Sequence, residues 1–209
     1  MDIKKEFTPY GTNEILDKLA EHSNEEVRAA VVDAGYGWDK LVGDESAFVR
    51  YAVAQQGYGF DKLMHDEDSE IRREVAEKGY GLETLINDED PYVRAGVATS
   101  GYGLDRLIND EDVNVRCEVA RQDYGLDKLI DDTEPFVRIA VAYQNYGLDK
   151  LTLDSDPSVS MAATLKLQYD GMTLDKWKRQ NPERCALEKR QVKPSRFVAD
   201  KTRDIESEI

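Results

Sequence analysis

Tyrosine recurs at positions 36, 58, 80, 102, 124 and 146, always 22 residues after the last and always followed by glycine. A period of this length describes a unit too small to bury its own apolar face, so its copies must stack and share one core. Seven copies follow without a gap, beginning at Asn13, Gly35, Gly57, Gly79, Gly101, Asp123 and Asn145. The expectation is one elongated body over residues 13–166. An N-terminal cap over 1–12 precedes it, and a capping helix with a charged tail over 167–209 follows.

Each copy reads as two helices. In GYGLDRLINDEDVNVRCEVARQ, Gly103 stands where the cap of a short helix, Leu104 to Ile108, is needed. The second helix follows Asp112, and Ser46, Asp68, Asp90, Glu134 and Asp156 hold the same place elsewhere. A short side-chain acceptor there takes amide hydrogens that the first turn leaves unpaired. Pro91, Pro135 and Pro157 come next, at the first helical position, where the missing N–H costs nothing. After about ten residues the helix meets Gly35, Gly57, Gly79 or Gly101, the residue that closes helices in left-handed conformation. Asp123 and Asn145 take over that position later in the chain. The chain is therefore expected to be all-α, an α-solenoid of seven 22-residue two-helix copies. At 8–10 Å per packed helix layer it would be roughly 60–70 Å long.

The charges follow the same register. With Val115 set at zero on a helical wheel, Val119 lies at about 40°, Arg116 at about 100° and Ala120 at about 140°. Arg28, Arg50, Arg72, Arg94, Arg116 and Arg138 thus point into the packed side or the seam between copies. An unpaired charge there is costly. The matching carboxylates are Asp44, Asp66, Asp88, Asp110, Asp132 and Asp154, which gives an Arg–Asp ladder locking neighbours together. In the last copy Ser160 replaces the arginine, as expected where stacking ends.

No other grouping points to chemistry. Asp66-Glu67-Asp68-Ser69-Glu70 resembles the start of a calcium loop, but Ile71 stands where that loop needs its sharp-turn glycine, and the register makes Asp68 a helix cap. His22 and His65 occupy different places in their copies and form no metal or catalytic spacing. Phosphate-loop, dinucleotide, metalloprotease and nucleophile-elbow motifs are absent from the sequence. The expectation is a chain with no catalytic activity, no metal and no cofactor. Cys117 and Cys185 make no disulfide framework and read as free thiols. No apolar run approaches membrane-spanning length and the start, MDIKKEF, carries no apolar leader segment, so a cytoplasmic chain is expected.

The pattern L-x-x-D-x-D-x-x-V-R-x-x-V-A, carried here by Leu107, Asp110, Asp112, Val115, Arg116, Val119 and Ala120, resembles the leucine-rich repeat variant family. This is a bacterial relative of HEAT-like solenoids, and the resemblance covers residues 13–166. It implies α-helices alternating with shorter helices, of α or 3₁₀ type, in a right-handed superhelix without sheet. It implies neither a catalytic activity nor a defined ligand.

Variation among the copies shows where a ligand could sit. On the wheel, Asn114, Cys117 and Arg121 fall opposite the core. The equivalent positions include Phe48, Tyr51, Tyr92, Ala95, Phe136, Ile139, Tyr143 and Met161. Aromatic and aliphatic side chains facing outward are unfavourable unless something covers them. Phe48, Tyr51, Tyr92, Arg121, Phe136, Ile139 and Tyr143 are therefore the candidate site for a protein or peptide partner, the alternative cover being the chain's own C-terminal segment folded back over them. The invariant Tyr36, Tyr58, Tyr80, Tyr102, Tyr124 and Tyr146 are expected instead to pack, ring against the next copy.

Net charge qualifies the partner. The chain carries −15, made of −17 over residues 1–169 (18 basic, 35 acidic) and +2 over 170–209 (10 basic, 8 acidic). Such a body repels phosphate backbones, so direct nucleic-acid binding is disfavoured and a basic protein partner favoured. The alternative is an inhibitor that imitates nucleic-acid charge through Asp88, Glu89, Asp90 and their copies, of the anti-restriction or anti-CRISPR kind. Beyond the copies, Leu174 to Trp177 repeat the first-helix pattern and are expected to begin a capping helix, with another helix at about 183–192 between Pro182 and Pro194.

Overall fold

A computed structural model describes residues 12–169, and all of its regular elements are helices. The expected N-terminal cap up to Gly11, the capping helix at Trp177, the helix at 183–192 and Cys185 lie outside the described residues. Helix α1 spans Thr12–Ala20. From there, long and short helices alternate. The long ones are α2 (Glu25–Asp33), α4 (Ala47–Gln55), α6 (Ser69–Glu77), α8 (Pro91–Thr99), α10 (Val113–Arg121), α12 (Pro135–Tyr143) and α14 (Pro157–Tyr169). Between them stand α3 (Trp38–Leu41), α5 (Phe60–Leu63), α7 (Leu82–Leu85), α9 (Leu104–Leu107), α11 (Leu126–Leu129) and α13 (Leu148–Leu151). Each long helix packs on the next long helix, and each short helix on the long helices before and after it.

Sequence sets both ends of a long helix. Asn24, Asp68, Asp90 and Asp112 have extended backbones, and each Oδ1 accepts the N–H two residues on at 2.8–2.9 Å. Ser46 and Glu134 keep the extended conformation without a side-chain cap bond. At the other end the helix stops two residues before the expected glycine, as α2 ends at Asp33 before Gly35 with Ala34 as the C-cap. Tyr36 N–H donates to Val31 O at 3.1 Å and Gly35 N–H to Val32 O at 2.9 Å, the paired bonds that satisfy terminal carbonyls around a left-handed residue. Asp123 and Asn145 adopt that conformation with φ of 59° and 61°.

The short helices are single α-helical turns. Leu107 N–H reaches Gly103 O at 3.0 Å and Ile108 N–H reaches Leu104 O at 2.9 Å, both spanning four residues. Gly103 is needed twice over. Its φ is +62°, and a Cβ there would run into Ile86 Cδ1 of the preceding copy. The second glycine of each GYG is thus a contact between copies as well as a turn.

The core is a set of columns. Leu41, Leu63, Leu85, Leu107, Leu129 and Leu151 line up one per copy, and Val49, Ile71, Val93, Val115, Val137 and Val159 form the next column, all buried. Each such side chain contributes about 1.5–3 kcal/mol of transfer free energy. Two of the tyrosines pack on a ring of the copy before them, Tyr58 5.8 Å from Trp38 and Tyr80 5.5 Å from Phe60, both tilted, while Tyr58, Tyr80, Tyr102, Tyr124 and Tyr146 each stay 37–41% exposed. The hydroxyl is directed as well, since Tyr36 donates to Asp17 at 2.9 Å and Tyr80 donates to Asp61.

Candidate protein-binding surface

The arginine and aspartate rows meet at every junction between described copies. Arg28, Arg50, Arg72, Arg94, Arg116 and Arg138 donate through Nε and Nη2 to both carboxylate oxygens of Asp44, Asp66, Asp88, Asp110, Asp132 and Asp154, at 2.7–3.0 Å. The remaining Nη1 turns back to its own loop: Arg94 donates to Asp88 O at 2.9 Å and Glu89 O at 3.3 Å. Each aspartate also folds its own loop, as Asp110 Oδ1 accepts Asp112 N–H at 2.9 Å. The rungs are linked in series. Asp88, for example, binds Arg72 through its carboxylate and Arg94 through its carbonyl.

Burial disfavours the charged form of Asp110. The Arg94 guanidinium and the Asp112 N–H outweigh it and hold the carboxyl below the usual carboxylate range. Asp44, Asp66, Asp88 and Asp132 show the same balance, and Asp154 is lowered chiefly by Arg138. Among the described residues no buried side-chain nitrogen or oxygen lacks a hydrogen-bond partner. The guanidiniums are therefore occupied rather than presented to a ligand. In the described residues no group of three or more His, Cys, Asp or Glu side chains is placed to hold a metal ion, and no helix is long and apolar enough to cross a membrane.

This geometry also divides the acidic trios at 66–68, 88–90 and 110–112. Asp88 is consumed by Arg72 and Asp90 caps α8, which leaves Glu89 as the free charge. The equivalent glutamates are open to water: the Glu45, Glu67 and Glu111 side chains are 88–92% exposed. In the next two copies Thr133 and Ser155 take their place. The acids of these loops thus reduce to a single open column of four, Glu45, Glu67, Glu89 and Glu111.

The outward row of the long helices splits in two. Phe48 is 54% exposed, Tyr92 47%, Phe136 70% and Tyr143 57%, and Arg121 is exposed beside Glu118. Tyr51 and Ile139 do not share this position. Both are half-buried and packed on the core, and Tyr51 donates to Glu74 of the next copy at 3.2 Å. Ala95 and Cys117, which the wheel also turns outward, are buried. A wheel referred to one core direction misplaces them because a stacked helix has neighbours on both flanks, and this position faces the following long helix. Arg73 shows the contact most directly: a Cβ on Gly96 of the next copy would meet its side chain. The same guanidinium lies 3.8 Å over the Tyr92 ring and donates to Glu77 at 2.7 Å. This cation–π pair covers one face of Tyr92 and has no signature in the spacing.

At the C-terminal end of the described residues, Met161 is 64% exposed, Leu165 46% and Leu153 79%. Leu165 is not among the sequence-selected residues, although the period from Tyr143 assigns it to the same row. Among the described residues α12 and α14 each carry two large exposed apolar side chains, with Leu153 in the turn between α13 and α14 and Ile15, Phe48 and Tyr92 singly on other helices. No protein-family model, curated protein or solved structure matches the chain.

Proposed function

We propose that the chain is a non-catalytic scaffold, a right-handed α-solenoid of seven two-helix copies of the leucine-rich repeat variant kind, which binds a protein partner in the cytoplasm through the outer row of its long helices. The observation that carries this reading is the exposure of Phe136 and Tyr143, 70% and 57%, on one face of α12, well above the 37–41% of Tyr58, Tyr80, Tyr102, Tyr124 and Tyr146. Large apolar side chains left open in this way mark contact surfaces, and aromatic anchors supply most of the energy at such surfaces. The charged rungs, saturated by one another, are assigned to architecture.

The test is affinity capture with the wild-type chain and with Phe136→Ser/Tyr143→Ser. The variant is expected to lose the captured protein while keeping its helicity and unfolding midpoint. Charge mimicry of nucleic acid is the second reading, and the column Glu45, Glu67, Glu89 and Glu111 is what favours it. Under that reading changing all four to Gln abolishes capture and the aromatic substitutions do not.

A further inference from the structure

The outer row is not uniform along the stack, and its gradient describes the partner. One position per long helix, exposed in every copy, reads Glu26, Phe48, Glu70, Tyr92, Asn114, Phe136 and Ser158. Aromatic rings thus stand in every second copy. In the first half carboxylates alternate with them; in the second half neutral residues do. A turn or two further along each helix the exposed residues read Asp33, Gln55, Glu77 and Thr99 in the first half, then Arg121, Tyr143 and Leu165. Over the first four copies these two rows hold four acids and no base. Over the last three they hold one charge, Arg121, itself paired with Glu118.

We infer that this face takes a linear polypeptide segment with one basic and one apolar half, lying along the stack with its basic half over α2 to α6 and its apolar half over α12 and α14. The inference rests on the protein-binding reading above and names the partner's chemistry. Charge complementarity sets the basic half, because among the described residues Glu26, Glu70 and Asp33 face solvent without a cation within ion-pair distance. Phe136, Tyr143 and Leu165 set the apolar half. Spacing sets the extent. At 8–10 Å per packed helix the alternate rings lie about 16–20 Å apart, which an extended chain at about 3.3 Å per residue spans in five or six residues.

The probe is a fluorescein-labelled synthetic peptide of eighteen residues, its first nine rich in Lys and Arg and its last nine in Leu, Phe and Met. Two control peptides carry a Gln/Ser-rich or a Glu-rich half in place of the basic one. Fluorescence anisotropy is read at low and moderate salt against the wild-type chain, Glu26→Gln/Glu70→Gln, and Phe136→Ser/Tyr143→Ser. The expected result is that the basic–apolar peptide binds tightest, that Glu26→Gln/Glu70→Gln weakens it roughly tenfold and flattens its salt dependence, and that Phe136→Ser/Tyr143→Ser weakens it and the neutral–apolar peptide alike. Equal binding of the basic and neutral peptides, unchanged by Glu26→Gln/Glu70→Gln, overturns the inference while Phe136→Ser/Tyr143→Ser can still confirm an apolar protein site. Binding of no peptide, or binding indifferent to both variants, also overturns it. In that case capture with Phe136→Ser/Tyr143→Ser decides separately whether the protein-binding reading stands.

Discussion

Arg94 meets two acids, and the difference between them tests the division of labour in this protein. Asp110 accepts from it twice at 2.8 Å, and the two side chains are 11% and 9% exposed. Glu111 approaches the same guanidinium at 3.8 Å with its side chain 92% exposed. Asp110→Ala removes the bidentate pair, leaves the Asp112 N–H without its acceptor, and strands a largely buried guanidinium on two backbone carbonyls. Breaking a buried pair from one side costs about 3–5 kcal/mol, and the residual solvent contact here argues for the lower end. Glu111→Ala should stay within about 0.5 kcal/mol, as exposed pairs do. Urea unfolding followed by far-ultraviolet circular dichroism measures both. In a stacked chain the loss falls on one junction, so Asp110→Ala should also broaden the transition or split it as the halves on either side uncouple. The double change Arg94→Ala/Asp110→Ala should cost less than the sum of the single changes by about 2 kcal/mol. A cost for Asp110→Ala no larger than that of Glu111→Ala would refute the assignment of the rungs to structure.

Other consequences follow from the same geometry. The seam carboxyls titrate below their usual range when folded, so their contribution is fully present above the unfolded value of about 4 and is lost as pH falls through the lower folded values. Urea midpoints should therefore hold from pH 7 to about 5 and fall steeply below 4, with net proton uptake on unfolding; a midpoint that rises between pH 4 and 3 would contradict this. Gly103→Ala should destabilise by about 1–3 kcal/mol through its left-handed backbone and the approach to Ile86. Asp123→Gly should stabilise by about 0.5–1 kcal/mol, since a non-glycine residue there holds φ at 59°. Cys117 is buried, and burial pushes its thiol up, so a thiol reagent should label it slowly in the native protein and promptly in urea. Prompt native labelling would place it on an open face.

The all-helical architecture and the Arg–Asp rungs were legible because a strict period repeats each local choice. Cap, proline, glycine and apolar spacing agree in copy after copy, and a partner sixteen residues away recurs at every junction. The outer face was legible only in part. Phe48, Tyr92, Phe136 and Tyr143 stand where the wheel puts them. Tyr51, Ile139, Ala95 and Cys117 do not, because periodicity within one helix carries no information about the second flank that stacking buries. The same limit hid the contact of the invariant Gly103 with Ile86 and the Arg73–Tyr92 pair, both made between copies. Tyr58 and Tyr80 pack, as the spacing suggests, but toward the preceding copy, since a repeat has no direction until its copies are stacked.

The most direct measurement replaces one whole rung by apolar residues of similar size, Arg94→Met/Asp110→Leu, and reads binding of the basic–apolar peptide by anisotropy alongside urea unfolding. Exchanging the pair itself is often neutral, but the Asp112 N–H and the Asp88 and Glu89 carbonyls lose their partners, so the variant should fold with a midpoint no lower than that of Asp110→Ala and bind the peptide with unchanged affinity. A folded variant that no longer binds would put the rungs themselves in the site and contradict the account.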